Sequence, residues 1–270
     1  MSATRLGRLL FALALAVLGA LNLAWADFSY VWQPVPKWLP WREPLADASG
    51  VLLIAFGLGM LVPRAARLAT LLLTANLGLW LLLIRLPVLV ASPGVAVNWE
   101  ALGETMMLVA GGWILLASVS GRESGWRGRF DGPQGVRLAR LLYALALPMM
   151  GLSHFFYLQY TAAMIPGWIP FHAGFACLTG AAHIAAGLGL LFGVIPRLAA
   201  TAEAVMISIF AAVANGAGVL GHPDSHFQWT DLLVAVALNG AAWAVAGSLC
   251  GAPWGLAASH QQPPVGSSPQ

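Results

Sequence analysis

Charge is what this 270-residue chain has least of. Asp, Glu, Lys and Arg make up 9% of it, against about 25% in an ordinary soluble domain. So few charges cannot cover a water-exposed surface of that length, and a 59% hydrophobic composition points to lipid instead. Lysine occurs once, at Lys37, among 13 basic residues. The net charge of +3 has no basic cluster outside the loops, which excludes a nucleic-acid-binding protein. Cysteine occurs twice, at Cys177 and Cys250, without CxxC spacing, so the chain carries no dithiol redox centre of its own. No histidine precedes His154. A phosphate-binding loop, a nucleophile–base pair and a firm metal cluster are all missing, which leaves an autonomous enzyme the least supported class.

What the chain does have is apolar runs near the roughly 17–25 residues that cross a bilayer. Eight stand out, at about 7–25, 47–63, 66–86, 101–119, 138–157, 173–195, 198–219 and 230–249. Lipid offers no partner to backbone N–H and C=O groups, so the runs are helices or a closed barrel. Their unalternating Leu and Ala exclude the barrel. The expected fold class is an all-α polytopic membrane protein with eight transmembrane helices.

The runs come in two sets. Arg5–Asn22 set against Arg137–His154 gives 10 identities in 18 positions. From Pro36 onward a second constant offset pairs Pro36/Pro166, Trp38/Trp168, Pro40/Pro170, Gly50/Gly180, Gly57/Gly187, Gly59/Gly189, Arg67/Arg197, Trp99/Trp229 and Trp113/Trp243. Chance apolar similarity does not hold Trp, Pro and Arg in one register, so a duplicated four-helix unit is expected. The first run resembles a signal peptide, with Arg5 and Arg8 ahead and Ala24-Trp25-Ala26 behind it. Its counterpart lies mid-chain and cannot be cleaved, so the first run reads as helix 1.

Domain limits follow: 1–119, a basic linker at 120–136, a second unit at 137–250, and a Pro/Ser/Gln-rich tail at 251–270 expected to be disordered. With the N-terminus inside, Arg5, Arg8, Arg64, Arg67, Arg122, Arg127, Arg129, Arg137, Arg140 and Arg197 all fall inside, leaving Lys37, Arg42 and Arg85 outside. Both termini are therefore expected in the cytoplasm, and two even-numbered units make parallel repeats. Cys177 and Cys250 then lie at opposite faces, too far apart for a disulfide, which needs Cα atoms within about 7 Å. The Arg, Ala and Gly bias suggests a bacterial source, hence the inner membrane.

The polar residues of the second unit supply the candidate site: His154, Tyr157, His172, His183 and Glu203. His183 falls near the middle of its helix, where ionisable groups are costly and usually meet a partner inside the bundle. Its counterpart is Leu53; that of Glu203, the most deeply set acid, is Leu73, and that of His154 is Asn22. Glu203 is expected either to pair with an Arg from an inner loop or to mark a proton or substrate path. The helical rise of about 1.5 Å per residue sets His183 about 15 Å deep, whereas His154 closes its helix near the outer face, which argues against the two sharing a haem. His222-Pro223-Asp224-Ser225-His226 has H-x-D-x-H spacing, which puts imidazole and carboxylate on one face of an extended segment, a set suited to zinc or another first-row metal. No cofactor follows from the sequence.

The stretch Ile165-Pro166-Gly167-Trp168-Ile169-Pro170, Thr179-Gly180, Gly187-Leu188-Gly189 and Arg197 resembles the DoxX-like membrane family. The resemblance implies a four-helix unit in each half, clearer in the second, with His183 standing about where relatives often carry Glu. The family's namesake is similar to a subunit of a thiosulfate- or quinol-linked oxidoreductase, which implies a membrane or periplasmic redox partner beside the lipid bilayer. Three functions remain open. A quinone-linked redox accessory needs a pocket with His154, His172 and His183 in aromatic walls. A small-molecule transporter needs a path joining Glu203 to His183. A structural or assembly protein has scattered polar residues, each satisfied.

Overall fold

The computed structural model describes residues 1–29, 32–120 and 130–255. Positions 121–129 of the linker, with Arg122, Arg127 and Arg129, and 256–270 of the tail lie outside the described residues. Among the described residues all regular structure is helical. The helices are α1 (Ala3–Trp25), α2 (Arg42–Gly59), α3 (Ala66–Ala91), α4 (Ala96–Val119), α5 (Pro133–Phe156), the short α6 (Leu158–Ala163), α7 (His172–Leu191), α8 (Pro196–Gly221) and α9 (His226–Ser248).

Local chemistry starts several of these helices. Ser2 caps α1 by accepting the Arg5 N–H, and Ser225 caps α9 by accepting that of Gln228, each satisfying a donor that the first turn leaves free. Pro133 and Pro196 open α5 and α8, where a missing N–H costs nothing. Trp41 and Phe171, which share one place in the two sets, both turn into their helices through a left-handed backbone, with φ of 60° and 57°.

Among the described residues seven helices are long and apolar enough to cross a membrane: α1, α3, α4, α5, α7, α8 and α9. The expectation of eight is met only to that extent. The remaining segment begins earlier than its apolar run, so the 18 residues of α2 include Arg42, Glu43 and Asp47. By the rise per residue α2 is about 27 Å long, slightly short of a hydrocarbon core of about 30 Å.

The two sets of helices are interleaved. α1 packs along α2 and along α9, while α5 packs along α7 and along α4. Each set's first helix therefore lies against the other's last. α4 and α9 meet so closely that a Cβ on Gly111 would overlap Ala241, a small-residue contact that lets helices approach in lipid. One buried core, with Phe11, Leu15, Leu108, Leu115, Leu147 and Val245, runs through the centre.

Contacts at the helix ends define two faces. Arg140 at the start of α5 donates to Ser248 at the end of α9 (2.9 Å), and Arg197 at the start of α8 donates to Ala252 O (3.2 Å). Arg67 at the start of α3 reaches Ser120 and, at 3.2 Å, Asp131. These residues, with both described chain ends, mark what we call the termini face. At the opposite face the Val97 N–H donates to Tyr157 Oη (3.0 Å), and Trp25 stacks on His226. α3 and α8 each contain a π turn, Leu81–Arg85 and Phe210–Asn215. Such turns recur at functional sites because the extra residue re-aims side chains. Arg85 is thereby buried and donates to Trp32 O (2.7 Å), and Asn215 is buried and donates to Asp231 Oδ2 (2.7 Å).

Candidate functional site

Three buried stripes converge in the second half. On α7 the buried residues Ala176, Gly180, His183 and Gly187 follow three- and four-residue spacing, which puts them on one face. On α8 the stripe is Ala200, Glu203, Ala204 and Ile207, and on α5 it includes Ala139, Tyr143, Leu147 and Gly151. Each stripe consists of small and apolar residues with one conspicuous polar interruption.

Those interruptions meet. His183 Nδ1 lies 2.7 Å from Glu203 Oε1, with the two side chains 3% and 1% exposed. With an ionised carboxylate, Nδ1–H is the donor. At that burial a lone ionisable group would be expensive, and pairing is the usual remedy. His154 stands edge-on to His183, ring centroids 5.2 Å apart, and Phe210 packs within 6.1 Å of both rings. His154 Nδ1 is 3.1 Å from Thr179 Oγ1 and 3.3 Å from Ala176 O. This closeness depends on glycine, since a Cβ on Gly180 would sit 2.8 Å from both Gly151 O and His154 Cβ.

Two buried polar atoms in this region have no partner: Glu203 Oε2 and Tyr143 Oη. Tyr143 is fully enclosed and lies within the electrostatic reach of Glu203. Native proteins leave few such atoms, and an orphan of this kind calls for an explanation. Glu203 also lines a groove of about 620 Å³ between α7 and α8, walled by Ala186, Gly189, Phe192, Leu198 and Met206 among others. That volume lies within the range of small-molecule sites, which combine apolar walls with a few polar groups. The groove occupies the termini-face half of α7 and α8, and His154 lies on the other side of His183.

The expected site residues divide accordingly. The structure brings His154, His183 and Glu203 together, and it corrects the depth argued for His154, because close α5–α7 packing sets it against His183. Glu203 pairs with His183 rather than with an inner-loop arginine; Arg197 turns instead to Ala252 and the Trp254 ring. His172 opens α7 three turns ahead of His183, about 16 Å away by the helical rise, so it is not part of the pocket. Tyr157 is also apart, tying the end of α5 to α4. His222 and Asp224 are exposed, and His226 is stacked on Trp25. Among the described residues no group of three His, Cys, Asp or Glu could hold a metal, so the H-x-D-x-H reading finds no support. Cys177 and Cys250 are both free. Tyr160, beyond the end of α5, has its phenol raised above the ordinary range by burial and then by the charges of Asp231 and Glu100.

Sequence reasoning missed Tyr143 and Phe210. The signal was present: the sequence register that sets Arg5–Asn22 against Arg137–His154 pairs Tyr143 with Phe11, so the second half has a hydroxyl where the first has none.

Neither a curated protein nor a solved structure gives a significant match to the chain. Residues 135–216 match the DoxX family model. That stretch holds Tyr143, His154, His183, Glu203 and Phe210, so the segment that bears the site is the one similar to the DoxX family.

Proposed function

We propose that the second half binds a lipid-soluble quinone or quinol head at the His183–Glu203 pair, as the accessory subunit of a membrane redox system. The observation that carries this reading is the buried pair at the wall of an apolar groove, with Glu203 Oε2 uncommitted. A quinol hydroxyl is a donor that Glu203 Oε2 can accept, and a quinone oxygen is an acceptor for a buried O–H such as that of Tyr143. Phe192 supplies an aromatic wall to the groove, and Phe210 packs on the His183 ring. The DoxX match over the same segment agrees with the resemblance noted in the sequence, whose namesake is similar to a subunit of a thiosulfate- or quinol-linked oxidoreductase.

A structural or assembly role fits less well, because Tyr143 Oη and Glu203 Oε2 are clustered and unsatisfied rather than scattered and individually paired. A transport role draws on the same Glu203–His183 contact and differs in requiring the ligand to cross the membrane. The wider frame belongs to the proposal: two units at 1–119 and 137–250 derived by duplication, joined by the linker at 120–136 and followed by the tail at 251–270. We place them in a bacterial inner membrane with both termini cytoplasmic. Left-handed turns, π turns and glycine contacts that recur at matched places in the two halves support the duplication, and the arginines of the termini face support the orientation.

The test is a titration of detergent-purified protein with decylubiquinone. Saturable binding is expected, weakened about tenfold to hundredfold in Glu203→Gln, from the loss of about 1.5–3 kcal/mol for a charged hydrogen bond. Binding that is absent, or equal in both proteins, contradicts the reading.

A further inference from the structure

The His183–Glu203 pair separates two environments. On the termini side is the apolar groove that Glu203 lines. On the other side is His154, half-buried, with Thr179 and the Ala176 carbonyl at its Nδ1. The same place in the first half is closed. There Asn22 is fully buried and donates from Nδ2 to Gln33 Oε1 (3.0 Å), while Ser29 Oγ donates to Asn22 Oδ1 (2.7 Å). Gln33 Nε2 completes the plug by donating to Ser49 Oγ (2.9 Å). Ser49 is the repeat partner of Thr179 and Asn22 that of His154, so both halves begin from the same polar pair. Only the first folds its loop back over that pair. The second leaves a titratable imidazole there, in contact with another titratable imidazole.

We propose that Glu203, His183 and His154 form a proton relay joining the groove to the face opposite the termini. The inference rests on the groove being the ligand site and adds the direction in which its protons travel. With His183 in the tautomer that carries its proton on Nε2, a proton accepted at Glu203 crosses the 2.7 Å contact to the free Nδ1. It leaves the carboxylate ionised and the imidazole protonated. A turn of the His154 ring about its Cβ–Cγ bond presents a nitrogen to His183 and takes the proton onward to water at the opposite face. Each transfer breaks one O–H or N–H bond and forms another, and no electron moves. Among the described residues Tyr143 from α5 also faces the pair; the short α6 contributes Tyr160, which interacts with Asp231 and Glu100 instead.

The relay itself is read without ligand. Full-length protein is reconstituted in one orientation, and the Glu203 carboxyl infrared band is assigned as the one lost in Glu203→Gln. A pH step is then imposed on one side of the vesicles. The band is expected to follow a step at the face opposite the termini, and its response to slow about tenfold or more in His154→Leu and in His154→Asn, the first-half residue. Decylubiquinone affinity of both variants is expected to stay within about threefold of the parent, a shift of about 0.7 kcal/mol. A band that follows the termini face, follows neither face, or is as fast in both variants overturns the relay. Because the readout is the carboxyl itself, that result leaves the quinone titration to stand or fall separately.

Discussion

The two halves of this protein share a helical framework and differ in what they enclose. Phe11, Leu53 and Leu73 in the first half are all fully buried apolar side chains. At the corresponding positions of the second half stand Tyr143, His183 and Glu203. The framework tolerates either set, so the helices do not require the polar one. Three changes on three different helices that all meet in one place are poorly explained as independent drift. They are explained if the second half was shaped to hold something that the first does not.

The comparison can be broken by unpairing the second half. His183→Leu leaves Glu203 buried without its partner and should cost about 3–5 kcal/mol, the range for one side of a buried pair, read as a lowered unfolding midpoint in detergent. The double variant His183→Leu/Glu203→Leu copies the first half and should recover most of that loss, a strong non-additivity expected of directly coupled side chains. If the double variant is as unstable as the sum of the singles, the two side chains are not coupled and the framework does not tolerate the apolar pair.

A change common to both halves sharpens the contrast. A Cβ on Gly50 would lie 2.6 Å from Gly19 O, and one on Gly180 lies 2.8 Å from Gly151 O. Gly50→Ala and Gly180→Ala should therefore destabilise alike, by about 1–3 kcal/mol for overpacking, while only Gly180→Ala should weaken decylubiquinone binding, by pushing α7 and with it His183 away from α5. Gln33→Ala should cost about 1–3 kcal/mol by stranding the buried amide of Asn22 and its neighbours, with no effect on that binding. The smallest effect is at Tyr160: in Asp231→Asn its phenol should titrate at lower pH, since one of the charges that raise it is gone. Ultraviolet difference absorbance against a Tyr160→Phe control checks this.

Much of the framework was legible in the sequence because lipid leaves the backbone few options, and apolar runs with their flanking arginines mark most helices directly. α2 was less legible because Arg42, Glu43 and Asp47 shift its start away from its apolar centre. His183 and Glu203 could be picked out singly, as ionisable residues where the other half has leucine. Their pairing could not, since it depends on α7 and α8 presenting the two stripes to each other. The closeness of His154 to His183 was not legible because it rests on the Gly151–Gly180 contact between α5 and α7, which depends on how those two helices pack and not on where each ends. His172 and the 222–226 loop were attractive for residue type alone; His172 stands about 16 Å from His183 by the helical rise, and His226 stacks on Trp25.

The most direct measurement joins stability and binding in one variant, Tyr143→Phe/His183→Leu/Glu203→Leu, which gives the second half the first half's interior. The account predicts an unfolding midpoint no lower than the parent's, since well-packed apolar replacements of a buried pair are often neutral or stabilising, together with complete loss of decylubiquinone binding. A variant that unfolds, or one that still binds the quinone, would contradict it.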